Sequence, residues 1–211
     1  MRIDAYFDVI DPWSFIGKVT LQEALGEMPD AEVVLDWHPM QMLPEILASG
    51  IPRSELLKHQ FESPDEAERS LEPVKQAATQ AGLQMNWTAI QRVPNTLNAH
   101  RIIFWAREVG LQDTVIDAFF HAYFYHGEDL TDISRLIDLA VAAGMDRAMV
   151  EERFHSDQDV HLVKLLTKHA RDIGVKTGAT FVIDGKSVLH RPASKAIWLK
   201  VLAEEGLGVG T

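Results

Sequence analysis

The sequence predicts an α/β fold in three parts: a strand–helix–strand opening, a long helical middle, and a closing hairpin followed by a helix. Three observations carry that reading. Apolar and polar residues alternate with period 2 near the start, helical periodicity dominates from about Pro52 to Phe154, and Asp184-Gly185 is flanked by two short apolar runs.

The elements follow in order. In "RIDAYF", residues 2–7, Ile3, Ala5 and Phe7 alternate with Arg2, Asp4 and Tyr6, as in a half-buried strand. Leu21, Leu25 and Met28 then fall at helical spacing, and "PD" at 29–30 ends that helix. "AEVVLDWHP", residues 31–39, reads as a second strand stopped by Pro39, and a helical connection implies that the two strands are parallel. In the middle, Ile102, Ala106 and Val109 mark the apolar face of one helix that Gly110 caps. Val115, Ala118, Phe119 and Ala122 mark a second, and Asp132 caps a third that ends at Gly144. After the predicted hairpin, Pro192 is placed at the first position of a helix running through "ASKAIWLKVLAEE".

Composition narrows the function classes. The chain has 211 residues, 46% apolar and 24% charged, as expected of one sizeable globular domain or a domain with an insertion. A formal charge of -11 argues against nucleic acid, whose phosphates need clustered Lys and Arg. No apolar run is long enough to span a bilayer, so no membrane association is expected. "MRIDAYFDVI" carries acidic groups early and lacks the pattern of a secretory leader, so the expected location is cytoplasmic. The chain contains no cysteine, which excludes disulfides, thiol nucleophiles and Cys-ligated metals within it. Among the nine histidines no pair is spaced i,i+4, and no metal is expected.

Four stretches carry a family resemblance. "DVIDPWSFIGK" at 8–18 resembles the D-x-x-C-P-W-C-x-x-G-K segment of the FrnE-like branch of the DsbA-like thioredoxin-fold family. "DWHPMQMLPE" is similar to its W-x-P-F-x-L-x-P stretch, with Met40 in place of Phe. "VPNTLNAHRIIFWA" is similar to its N-T-x-x-A-H-R helix, and "GVKTGATFVIDGK" to its G-V-x-G-V-P-x-F-V-I-D-G-K. The matches are in order and span nearly the whole chain. They imply a thioredoxin-like fold with an all-helical insertion: residues 1–45 and 165–211 form the thioredoxin-like part, and 46–164 the insertion. The family activity would be that of an oxidoreductase, yet a chain without Cys-x-x-Cys is unable to perform dithiol–disulfide exchange. The same resemblance extends to kappa-class glutathione transferase and 2-hydroxychromene-2-carboxylate isomerase, in which the first Ser of Ser-Pro-Tyr/Phe-Ser holds the glutathione thiol; this chain has Pro12, Trp13 and Ser14 but Asp11 in place of that first Ser. Glutathione enters as a cofactor only through that likeness.

The expected site centres on Asp11 and Ser14, which stand where the two cysteines would be. Asp11 is a strong N-cap with Pro12 at the first helical position, and the helix dipole is expected to hold its pKa low. An ionised carboxylate there would repel a glutathione thiolate but could serve as a base. Ser14 is either a stand-in for the glutathione-holding serine or a residue satisfied within its own helical turn. Trp13 would wall the pocket. Asn95, Thr96, Asn98, His100 and Arg101 would face it from the insertion, with Asn95 also a natural N-cap after Pro94.

The resemblance aligns Ala179 with the family's cis-proline, whose neighbouring backbone, here Ala179 and Thr180, would receive a peptide or glutathione. A cis bond before Ala is costly, so a trans bond is expected. Three functions then compete: a redox-inactive DsbA-like protein, a glutathione-dependent isomerase or transferase, and a binding module for a small molecule or peptide. A homodimer is expected from related folds alone.

Overall fold

The computed structural model of the protein describes residues 1–192 and 194–206. The chain opens with β1 (Arg2–Phe7), α1 (Pro12–Glu27) and β2 (Val34–Pro39). A short strand pair, β3 (Ile51–Pro52) and β4 (Arg92–Val93), brackets α2 (Arg53–Gln60) and α3 (Pro64–Gln80). Then come α4 (Leu97–Glu108), α5 (Gln112–Phe124), α6 (Ile133–Ala142), α7 (Arg147–His155) and α8 (Val160–Asp172). The chain returns to the sheet as β5 (Thr180–Ile183) and β6 (Ser187–His190), and α9 (Lys195–Gly206) follows.

The main sheet has the order β2-β1-β5-β6. β1 runs parallel to β2 and antiparallel to β5, with Tyr6 opposite Thr180. Ile3, Ala5 and Phe7 are buried, as the alternation requires. This topology determines where chemistry is placed. β1 ends in the loop that starts α1, and β5 begins beside that same loop, so residues 8–14 and 177–180 must meet at one end of the sheet. The hairpin turns at Asp184 and Gly185, with φ of 47° and 67°, and Lys186 N–H donates to the Ile183 carbonyl at 2.9 Å.

Helix α1 is pressed onto the sheet at Gly17, where an added Cβ would lie 2.9 Å from the Phe181 ring. Phe181 in turn meets the buried Trp198 of α9 edge to face, with centroids 4.9 Å apart, a contact that adds about 1 kcal/mol beyond the apolar area it buries. The Trp198 indole N–H donates to the Thr20 hydroxyl at 3.2 Å. On its other flank α1 carries the buried Lys18, whose ammonium reaches Asp117 at 2.7 Å and Asp113 at 3.0 Å on α5. Losing either carboxylate would weaken the compensation of a desolvated charge.

Three details differ from the sequence reading, the first being that β3 and β4 pair within the part expected to be all helical. Val109 is exposed, because α4 stops at Glu108 and Val109 caps it outside the apolar face. Pro192 is not the first residue of α9, which starts three residues later at Lys195. Instead Pro192 is buried, its ring within reach of Gly17. Ala193, assigned to that helix from sequence, lies outside the described residues, as do residues 207–211 of the expected thioredoxin-like part.

Candidate functional site

Asp11 caps α1 with Pro12 following it at the first helical position, as expected. Its Oδ1 accepts the Trp13 amide at 3.3 Å, and its Oδ2 accepts the Ser14 amide at 3.1 Å. The Ser14 hydroxyl donates to the same Oδ2 at 2.7 Å. That donation spends the only proton of the hydroxyl.

The remaining capacity of Ser14 is also taken, and not within its own helical turn. The Ala179 N–H donates to Ser14 Oγ at 2.9 Å, and the Asp8 N–H approaches it at 3.4 Å. Ser14 is 0% exposed and Asp11 4%. Gly178 lies directly over the pair: a Cβ there would come 2.6 Å from Asp11 Oδ2 and 3.1 Å from Ser14 Oγ. The backbone at 178–179 is therefore folded down onto the serine. The bond before Ala179 is trans, as expected, and Ala179 itself sits at φ 52°, a left-handed conformation that costs a non-glycine residue about 1 kcal/mol.

The electrostatics reverse one expectation. The Asp11 pKa is not held low by the helix start but is pushed up from 3.8 to about 6. Burial is the main cause. The Ser14 hydrogen bond opposes it, the nearby Asp8 adds to it, and the Trp13 amide and the Arg191 charge offset part of it. Loss of water outweighs the hydrogen bonds and the Arg191 charge at this depth.

A folded pKa above the unfolded value makes Asp11 favour folding below about pH 4, a contribution lost as pH rises through about 6. At neutral pH the gap corresponds to a penalty of about 3 kcal/mol. Asp11→Asn keeps an oxygen for the Ser14 donors and carries no charge, so it is expected to stabilise the protein by about 2 kcal/mol at neutral pH and by nearly nothing below about pH 4. Urea unfolding of both proteins across that range checks this; a gain that does not change with pH would refute the raised pKa.

Residues 2–197 match the model of the DSBA-like thioredoxin domain. The chain belongs to this family. A Bacillus subtilis protein, YwbO, is 23% identical over 97% of both chains. The probable DsbA oxidoreductase SCO1869 from Streptomyces coelicolor superposes with a TM-score of 0.88 at 23% identity, covering 100% of this chain and 92% of that one. The cytosolic disulfide reductase DsbM from Pseudomonas aeruginosa, with GSH, gives a TM-score of 0.71 at 14% identity over 98% of this chain and 100% of its own. These structural likenesses establish the fold. This DsbA-family chain has no cysteine and so performs no dithiol–disulfide exchange.

The other expected site residues separate into three groups. Trp13 is half-buried beside Asp11, with the Arg191 guanidinium 5.8 Å above its ring. His100 does reach the cluster, but through a residue that sequence reasoning passed over. Its Nε2 lies 3.2 Å from Oδ1 of the fully buried Asp8, whose Oδ2 accepts the Met42 amide at 2.7 Å. The signal for Asp8 was present, since it is the leading D of the D-x-x segment that the DsbA resemblance quotes.

The rest point elsewhere. The Thr180 hydroxyl donates to the Thr177 carbonyl at 3.0 Å and lies 3.1 Å from His190 Nδ1. Arg101 turns away from Asp11: it donates to the Gln158 and Arg153 carbonyls and to Asn98, and it stacks on Trp105 and Phe154. Asn95 is not the N-cap of α4, a position Thr96 holds, though its Oδ1 accepts the Leu97 amide at 3.0 Å. Its amide group donates to the Ile46 carbonyl at 2.7 Å, and Asn95 lines a separate cleft of about 490 Å³ together with Asn98. Thr96 is buried.

Proposed function

We propose that this protein is a non-catalytic, cytoplasmic member of the DsbA family that holds a small molecule or peptide, with its former thiol position turned into a structural lock. The observation that carries this reading is the Ala179 N–H to Ser14 to Asp11 chain under Gly178. Every proton and lone pair of Ser14 is engaged, so none is left to hold a thiol. Glutathione as a cofactor loses its main support for the same reason. The charge of -11 speaks against nucleic acid, and among the described residues no helix is long and apolar enough to cross a membrane. The likeness to a cytosolic reductase supports the location. A homodimer remains an expectation from related folds, which light scattering reads directly.

The test is a pair of assays on the pure chain. Insulin reduction should stay at background, and calorimetric titration with glutathione should give no heat up to about 10 mM, well above the millimolar affinity that corresponds to about 4 kcal/mol of binding. Glutathione binding abolished by Ser14→Ala would overturn the proposal in favour of a transferase or isomerase. One observation favours a second reading: a carboxyl titrating at about 6 is poised for proton transfer near neutral pH. Under that reading 2-hydroxychromene-2-carboxylate would be isomerised without glutathione, and Asp11→Asn would stop the reaction.

A further inference from the structure

The cleft that contains Asn95 lies between the start of α4 and one face of α8, and it includes neither Asp11 nor Ser14. We infer that it is a binding site for a small organic anion, a carboxylate or phosphate carried on a short apolar body. This does not depend on what Asp11 does.

The first observation is charge. Lys164, Lys168 and Arg171 recur at i, i+4 and i+7 on α8 and all line the cleft, opposed there by a single carboxylate, Asp172. Three cations against one anion form a local basic wall on a chain of net charge -11. Lys168 pairs with Asp172 at 2.5 Å, and Arg171 gives one N–H to the Gln41 carbonyl at 2.7 Å, keeping other guanidinium donors in hand. Lys164 has no ion pair among the described residues.

The second observation is independent of charge. Thr167 lies on the same face of α8 and lines the same cleft. It is 2% exposed, and its hydroxyl has no hydrogen-bond partner. A helical threonine ordinarily returns its hydroxyl to the carbonyl one turn back, so a buried one left unpaired beside a cavity calls for a partner from outside the chain. The facing wall adds the amino end of the 12-residue α4, where Asn95 takes the Leu97 amide and Thr96 makes no side-chain cap, so the dipole of that end favours an anion. Pro44, Ile46 and Leu130 supply the apolar remainder. A volume of about 490 Å³ suits a small metabolite rather than a folded partner.

The experiment is calorimetric titration of the full chain with hexyl phosphate, hexanoate and hexanol. At least one of the two anions should bind with a dissociation constant of about 1 mM or tighter, and hexanol at least about tenfold more weakly. Which anion wins tells phosphate from carboxylate. Lys164 is exposed, so Lys164→Gln should fold normally and weaken binding about fivefold. Thr167→Val should weaken it about tenfold while raising the melting temperature of the empty protein, because it deletes an unpaired buried hydroxyl. A hydroxyl idle in both states would give the second effect without the first. Absence of binding by both anions, equal binding of hexanol, or unchanged affinity in either variant would overturn the inference.

Discussion

Ala179→Pro, which restores the residue that DsbA-like relatives are expected to carry, should destabilise this protein by about 3 kcal/mol or more. Two features of the position forbid proline. Its φ of 52° is far from the value near -65° that the ring imposes, and its N–H donates to Ser14 Oγ at 2.9 Å. The substitution removes that donor and forces the loop over Asp11 to move. Ala179→Gly is the control: it keeps the N–H, relieves the left-handed strain and should stabilise by about 1 kcal/mol. Equilibrium urea unfolding of the two variants beside the parent checks both signs. A proline variant as stable as the parent would mean that the loop is free to adopt another course.

Ser14→Ala should cost about 4 kcal/mol and lower the melting temperature by about 8–16 °C. One oxygen serves as donor to Asp11 and as acceptor from Ala179 and, more weakly, Asp8. Its removal leaves buried N–H groups unpaired and takes from a buried carboxylate the hydrogen bond that most strongly supports its charged form. The Asp11 pKa should therefore rise above about 6, so the loss of stability should be larger at neutral than at acid pH. Thermal unfolding at both pH values reads the effect, and a pH-independent loss would assign it to packing rather than to the Asp11 bond. Ser14→Ala and Ala179→Pro break the same contact, so the double variant should lose less than the sum.

Much of this architecture was legible in the residues. Alternation gave β1 its buried face, Asp132 does accept the Ser134 and Arg135 amides at the start of α6, and Asp184-Gly185 turns the hairpin. Each of these is a local property of a few neighbouring residues. The failures share the opposite cause. Pro192 suits the start of a helix, but packing near Gly17 places it before one. Arg101, a family-like residue, is engaged by carbonyls 52 and 57 residues away. Asp8 was in plain sight in "DVIDPWS", yet its value depends on His100 and Met42, which sequence spacing cannot bring to it.

By itself the sequence determined that the chain carries no thiol of its own, that the fold is that of the DsbA family, and that Asp11 opens the first helix. Composition and capping are set by residue identity and near neighbours, and the family fold was implied by the resemblance of four stretches, so these conclusions needed no coordinates. Only the tertiary structure decided the state of the site. Antiparallel pairing of β5 with β1 delivers Gly178 and Ala179 onto Ser14, a contact across 165 residues that closes the serine and strips water from Asp11. A dipole acts within one helix and was foreseeable from the cap. Desolvation depends on everything packed around the carboxyl, and here it raises the pKa that the helix alone would have lowered.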